Sequence, residues 1–443
     1  MELHPSTPLG ETHRMAHSIP IALFSALTAV TALAEPRLVA PDEVLKGDPI
    51  MMRVEGVEPG DRVLITCERR RRSGLYRSGG LFIVGPEGTI DIAADRPLVA
   101  TWSGVDANGL FWSIRDSGEP VPDDLAPLVL RVHVDIDADG EVEMTREIAL
   151  LRSTGTLIET PIGDALPGAF LLRPQGDRPL PCVILLGGSE CNDSAARDMA
   201  PRLASRGFAV LGLPYCASAR GDTVKGLPTA FAELPLETLE AALTWLSARP
   251  DISDRVGIWG VSKGAEFALL GASKIDGFSA IVAIAPSDVA WQGWGADETT
   301  SSWSWRGKPL PYVPYLGMGN EFARRNRGQP VRIRTAHDAG RLSHPTRVEP
   351  ARIRVEEIDE PVMLVAGDAD TVWDSGDMAR NIEEARTAAG LETVLIVDAD
   401  AGHYLSGDVF APLNEPEARV RAEAFPRMVR FFAEHLSLDS PQN

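Results

Sequence analysis

Four cysteines in 443 residues are too few for a disulfide framework, and none stands in a CxxC or His-rich spacing, so no zinc site organises this chain. Positive charge is also scarce. The 43 Lys and Arg face 63 Asp and Glu, a net charge of −20, and a surface that acidic repels the phosphates of nucleic acid. The one local exception, Arg69-Arg70-Arg71-Arg72, reads as a solvated hairpin end. Beyond the first 34 residues no apolar run reaches the length of about 18 that a bilayer-spanning helix needs, so a mature chain without a membrane span is expected. Internal repeats are absent too. What remains is the composition of a folded protein, 44% hydrophobic and 24% charged, long enough for about two or three domains.

The exceptional apolar stretch is Ile19 to Ala34, which carries no charge and ends Ala32-Leu33-Ala34 before Glu35-Pro36, the small-x-small pattern of a signal-peptidase site. Residues 1–34 therefore read as an export signal, which places the mature protein in the periplasm or outside the cell. Against this, only Arg14, His13 and His17 precede the run as basic groups and Glu2 and Glu11 oppose them, so an N-terminal helix, a start at Met15 and a cytoplasmic location stay open.

From 38 to 152 the texture is of short strands punctuated by Gly, Pro and Asp. Leu130, Val132, Val134 and Ile136 alternate with Val129, Arg131, His133 and Asp135, the period of a half-buried antiparallel strand, so this part reads as a β-sandwich with His133 on its polar face. From 158 to 436 nearly continuous apolar runs alternate with amphipathic helical segments, which predicts an α/β domain whose mostly parallel sheet carries helices on both faces. Leu236, Leu239, Ala242, Leu243 and Leu246 give one helical stripe that Pro250 ends. A long irregular insertion, about 287–352, holds four of the nine tryptophans and reads as a lid or binding wall.

The strongest chemical signal is Gly260-Val261-Ser262-Lys263-Gly264, a GxSxG directly after the strand VGIW and directly before a helical segment. There the two glycines permit a tight, strained turn that lifts the serine hydroxyl above the sheet. Serine needs a base and a group to orient it, in the chain order Ser, acid, His. His403 follows the run ETVLIVDAD and Asp370 follows PVMLVAG, both at strand C-termini where sites of open α/β sheets assemble. Asp370 is preferred to Asp368, Asp374 and Asp377 because its later place in the turn lets it curl back to the imidazole; His337, His344 and His435 read as surface residues. The oxyanion hole is expected from the Lys263 N–H and from Gly188 or Ser189 in the turn Leu186-Gly187-Gly188-Ser189-Glu190. The Lys263 side chain reads as a solvated group at a helix start, with contact to a substrate phosphate as the functional alternative. Cys191 and Cys216 follow strands that neighbour each other in this sheet order and are placed to pair if the protein is exported.

The stretch PLETLEAALTWLSARPDISDRVGIWGVSKGAEFALLGAS, the later GDADTVWDSG and the final AGHY together resemble the catalytic domain of the acyl-CoA thioesterases related to bile acid-CoA:amino acid N-acyltransferase. The Gly104-Val105-Asp106 and Gly109-Leu110-Phe111-Trp112-Ser113 elements resemble that family's N-terminal immunoglobulin-like domain, and RGKPLPYVPY resembles the segment before its acid. The resemblance spans about residues 40 to 436. It implies an α/β-hydrolase domain behind an immunoglobulin-like sandwich, a triad of Ser262, His403 and Asp370, no cofactor, and thioesters of CoA as substrate class. Cys191 departs from the pattern, standing where a glycine is expected.

The reading is thus a serine hydrolase that cleaves acyl-CoA thioesters, with Trp291, Trp294, Trp303, Trp305, Tyr312 and Tyr315 of the insertion offering an acyl pocket or, alternatively, only lid packing. An export signal keeps an ester or lactone hydrolase open, since an exported enzyme rarely meets acyl-CoA. An amino-acid acyltransferase is disfavoured because a serine oxoester suits release to water better than attack by amines. A non-catalytic binding protein would not need Ser, Asp and His intact, and a dienelactone-hydrolase-like or peptidase-like enzyme would not need a single sandwich of about 110 residues in front.

Overall fold

The structure, a computed structural model, describes residues 35–217, 224–407 and 415–436. The export segment expected at 1–34 lies outside the described residues, within which no helix is long and apolar enough to cross a membrane.

The front part is all-β apart from one short helical turn. A long hairpin, Arg62–Arg71 with Gly74–Ile83, anchors a seven-stranded sheet, and Arg37–Val39, Arg53–Glu55 and Thr89–Asp91 form a three-stranded partner. Alternation sends Val63, Ile65 and Cys67 inward, where they meet Val54, Phe82 and Ile90 between the sheets. Each buried Val, Ile or Phe contributes about 1.5–3 kcal/mol relative to exposure. The basic run does close this hairpin, yet Arg69 is buried, because position 69 falls on the inward phase of the strand. His133 is half-buried rather than exposed, its Nδ1 2.9 Å from Thr145 Oγ1 and its Nε2 3.6 Å from Glu68.

The second part is built on eight strands: β1 (Leu157–Pro161), β2 (Phe170–Pro174), β3 (Leu180–Leu186), β4 (Ala209–Gly212), β5 (Ile252–Val261), β6 (Ala280–Ile284), β7 (Val362–Gly367) and β8 (Thr393–Asp398). Their order is 1-2-4-3-5-6-7-8, parallel from β4 onward across the sheet. The strands β3, β4, β6 and β7 are buried at every residue, as a sheet covered on both faces requires. The antiparallel edge pair β1 and β2 had no clear signal in the sequence, since LIETP and FLLRP are too short and mixed to show a period.

Helices α1 (Ser194–Ala204), α2 (Glu237–Ser247), α3 (Lys263–Ala272), α4 (Met318–Asn326), α5 (Ile333–Ser343), α6 (Ser375–Ala388) and α7 (Glu415–His435) pack around the sheet, with a short helix at Pro345–Ala351 between α5 and α6. The insertion is therefore not irregular throughout, since α4 and α5 lie inside it. The sandwich docks on α7, against which its short helical turn Gly109–Trp112 packs, and on Arg206 just past α1. Gly47, at φ +98°, lies so close to Phe425 that a Cβ there would fall 2.2 Å from the ring, and Arg206 on the α/β side binds the Asp48 carboxylate. One apolar core runs through this junction, from Val54 and Phe82 to Phe425 and Phe432.

Candidate active site

Ser262 sits between β5 and α3 at φ +56° and ψ −120°, a left-handed conformation that costs a non-glycine residue on the order of 1–3 kcal/mol. The surroundings enforce it. A Cβ on Gly260 would stand 2.1 Å from the Gly264 carbonyl, and one on Gly264 would stand 2.2 Å from the Gly187 carbonyl, so both motif glycines are required by close backbone approach. The Ser262 N–H donates to the Ile284 carbonyl at 2.8 Å, and its hydroxyl makes no helix cap, which leaves the hydroxyl free to face the imidazole.

Strand ends bring the partners in. The Ser262 hydroxyl lies 2.9 Å from His403 Nε2, and His403 Nδ1 lies 2.7 Å from Asp370 Oδ2. The other Asp370 oxygen accepts from the N–H groups of Val372 at 2.7 Å and Trp373 at 3.2 Å. Burial acts to raise the Asp370 pKa, but the hydrogen bond and charge of His403, with the Ser375 and Val372 donors, more than offset it and hold the carboxyl below its ordinary value. The competing acids are occupied elsewhere: Asp368 binds Arg380, Asp374 caps α6, and Asp377 pairs with Arg380. Carboxylate, imidazole and hydroxyl thus form one hydrogen-bonded run, the arrangement that raises a serine's nucleophilicity.

Beside Ser262 stands the turn after β3. Lys263 opens α3, so its backbone N–H has no acceptor within the helix. Gly188 lies against Ser262, where an added Cβ would be 3.4 Å from the serine Cβ, but its N–H donates to Glu190 Oε1 at 2.9 Å. The sequence left Gly188 and Ser189 equal as oxyanion donors; with the Gly188 N–H engaged by the chain's own carboxylate, Ser189 is the freer of the two. The turn is braced from behind. Tyr215 donates its phenol hydroxyl to the carbonyls of Gly187 and Gly188, at 2.7 and 2.6 Å, and Cys191 is bonded to Cys216. Cys191 occupies φ +47°, which explains why glycine is the residue to expect there.

Two expectations fail around this centre. Lys263 is not solvated: it is buried, its Nζ 2.6 Å from Glu266 Oε2, because the next helical turn presents a wholly buried acid. Glu266 also accepts from the Trp291 N–H at 2.9 Å and the Trp303 indole at 2.5 Å. Burial lowers the Lys263 pKa, and Glu266 opposes that shift. His337 is not on the surface either, because Ala336, His337 and Gly340 form the inward stripe of α5. Its ring packs edge-on against Trp291, Tyr315 and Trp373, and Trp373 in turn packs edge-on against His403. Of the other two, His344 and His435 are half-buried. The i, i+3 spacing of Lys263 with Glu266 was a usable signal for the buried pair. The Tyr215 contact had none.

Two cavities meet at Ser262. One, of about 400 Å³, is walled by Trp294, Tyr315, Phe322, His337, Val372 and Trp373. The other, of about 530 Å³, holds His403 and Tyr404 against Val261, Val331 and Ile333. Of the six aromatic residues expected to form the acyl pocket, Trp294 and Tyr315 line the first cavity. Trp291 stacks behind Tyr315, and Trp303 is wholly buried against Phe267. Trp305 packs on the apolar core beneath Arg306 and Tyr312 lies under Arg347, and neither lines a cavity. All lining residues of the two cavities fall between 188 and 406, so among the described residues the sandwich forms none of their wall. Among the described residues no group of three or more His, Cys, Asp or Glu is arranged to hold a metal ion.

Comparison with known proteins adds the following. Residues 47–150 match the family described as acyl-CoA thioester hydrolase/BAAT N-terminal region, and residues 234–416 match BAAT/acyl-CoA thioester hydrolase C terminal. Acyl-coenzyme A thioesterase 5 of Mus musculus is 27% identical over 426 residues, covering 88% of this chain and 94% of that protein. Mitochondrial acyl-coenzyme A thioesterase 2 of Homo sapiens is 25% identical over 419 residues, covering 88% and 82%. A Pyrococcus furiosus esterase of solved structure aligns at 19% identity with a TM-score of 0.39, over 60% of this chain and 87% of its own.

Proposed function

This chain belongs to the acyl-CoA thioester hydrolase/BAAT family, and from that membership we propose that it hydrolyses acyl-CoA thioesters to free fatty acid and CoA, with Ser262, His403 and Asp370 as its catalytic residues. The observation that carries the reading is the continuous hydrogen-bonded run from Asp370 through His403 to the Ser262 hydroxyl, set in a strained turn.

In this mechanism His403 Nε2 takes the Ser262 proton as Oγ attacks the thioester carbonyl carbon. The resulting oxyanion is held by the N–H groups of Lys263 and of the Gly188-Ser189 turn. The C–S bond then breaks, and His403 returns its proton to the departing sulfur, leaving an acyl-serine and a free thiol. Water enters along the same path, gives a proton to His403, attacks the ester, and the proton goes back to Ser262 Oγ as the fatty acid leaves. Asp370 fixes the tautomer with Nδ1 protonated and offsets the imidazolium charge. A serine oxoester favours water over amines as acceptor, which supports hydrolysis over amino-acid transfer.

A second reading, an exported hydrolase of acyl esters or lactones, is favoured by one observation: the Cys191–Cys216 disulfide, a bond that persists in oxidising compartments. The deciding experiment measures thiol release from acyl-CoA of graded chain length beside turnover of p-nitrophenyl esters of the same acyl groups. Preference for CoA thioesters supports the thioesterase; ester turnover without thioester turnover supports the exported esterase. In either case Ser262→Ala should remove turnover by several powers of ten, and near-full activity in that variant would exclude the triad.

A further inference from the structure

The two cavities that meet at Ser262 share Ser189, Glu190, Phe322, Arg325, Ile333 and Val372, and the residues that differ between them assign their roles. His403 lines only the second. Because the group that protonates the departing sulfur must face it, the leaving thiol has to emerge on the side of His403. The acyl chain then occupies the aromatic cavity of Trp294, Tyr315 and Trp373.

The rim of the leaving-group cavity carries an unusual charge. In a chain of net charge −20, residues 322–337 contain five arginines and no Asp or Glu. Arg324 and Arg334 are committed to the fold, the first near Glu321 at 3.6 Å and the second on Asp374 and on the carbonyls of Asp368 and Asp370. Arg325, Arg327 and Arg332 differ. All three are exposed, and among the described residues none has a carboxylate within ion-pair distance. Arg325 lines both cavities at their shared rim, Arg327 follows it by two residues, and Arg332 stands between Ile333, which also lines both, and Val331, which lines only the cavity that holds His403. One carboxylate, Glu190, faces the same space, with one oxygen taken by the Gly188 N–H.

We propose that the His403-side cavity is the leaving-group arm and that Arg325, Arg327 and Arg332 bind the phosphates of coenzyme A at its mouth. The assignment rests on the thioesterase reading above and adds the groups that recognise the nucleotide end. Guanidinium forks match phosphate oxygens in a two-point geometry, and three of them left unpaired beside a cleft make a local anion site on an otherwise repelling surface.

The test compares decanoyl-CoA with S-decanoyl-pantetheine, the same thioester without the nucleotide and its phosphates, and with p-nitrophenyl decanoate. For the unaltered protein, KM for decanoyl-CoA should climb steeply with added NaCl and KM for the pantetheine thioester should not. For the triple variant Arg325→Ala, Arg327→Ala, Arg332→Ala, the ratio of kcat/KM for the CoA thioester over the pantetheine thioester should fall at least about ten-fold, carried by KM. An unchanged ratio, or a CoA KM indifferent to salt in the unaltered protein, overturns the proposal. Because the salt titration uses the unaltered protein, it decides the matter even if the triple variant does not fold. Cleavage of the p-nitrophenyl ester with no turnover of either thioester overturns instead the thioesterase reading, and with it the ligand named here.

Discussion

Cys191 and Cys216 are joined across a Cα separation of 5.3 Å, and the bond ties the turn beside the nucleophile to the segment that follows β4. The same two segments are linked by the Tyr215 and Cys216 N–H groups donating to the Cys191 carbonyl and by the Tyr215 phenol on Gly187 and Gly188. The turn beside Ser262 is thus held from one side by a covalent and polar clamp. Burial drives the Tyr215 pKa well above its ordinary value, so the phenol keeps its proton and remains a donor.

Breaking the clamp should cost both stability and rate. The bond closes a loop with a sequence separation of 25, for which chain entropy gives about 3.5 kcal/mol. Reduction, or the variant Cys216→Ser, should lower the urea midpoint accordingly and lower kcat more than it raises KM. All four cysteines are buried, so the state of the bond is read after denaturation, where thiol alkylation followed by mass spectrometry should show two labels before reduction and four after it. Unchanged kcat after complete reduction would show that the turn holds its geometry without the bond.

Asp370→Asn should lower kcat by about 10⁴ while leaving the fold intact, because an amide in place of the carboxylate favours the wrong imidazole tautomer. Single-turnover kinetics with the thioester would read the acylation step directly. A loss of less than ten-fold would transfer the orienting role to another group.

The Lys263–Glu266 pair predicts an asymmetric result. Lys263→Met leaves a wholly buried carboxylate without its cation and should destabilise by about 3–5 kcal/mol. Adding Glu266→Gln to it should recover part of that loss, since the amide keeps an acceptor for the Trp291 and Trp303 N–H groups. Denaturant unfolding of the two single variants and the double variant measures the coupling. Additive losses would mean the two side chains act independently.

His337 makes stability depend on acid. Burial lowers its pKa from 6.5 to about 3. Between those values the unfolded chain binds a proton that the folded one does not. Its contribution is therefore complete above pH 6.5 and lost as pH falls towards 3, at up to about 1.4 kcal/mol per pH unit. His337→Phe should flatten this part of the profile relative to the unaltered protein. Urea midpoints compared from about pH 7 to about pH 4 give the difference, and identical slopes would mean the imidazole is not shielded from solvent.

Much of this site is legible in the sequence because its parts are local. GxSxG between an apolar strand and a helix implies a strained turn by sterics alone, and Gly260 and Gly264 show the contacts that enforce it. Strand-end positions for Asp370 and His403 follow from the alternation of apolar runs with helical stripes, and the family resemblance names the same residues. The front sandwich follows in the same way from its period-2 strands.

Other features depend on residues far apart in the chain, and no local pattern contains them. Lys263 reads as solvated until Trp291 and Trp303, brought from the insertion, close over Glu266. His337 becomes a buried aromatic neighbour of the catalytic cleft only because α5 folds its inward stripe against Trp291 and Trp373. Which tryptophans reach a cavity, and which acid reaches the imidazole, were decided by packing and by competing partners such as Arg380 for Asp368. The sequence by itself determined the buried parallel strands, the strained turn at Ser262 and the net acidity. Tertiary structure decided burial, pairing and the unlike walls of the two cavities, since each arises from contacts between segments that adjacent residues do not encode.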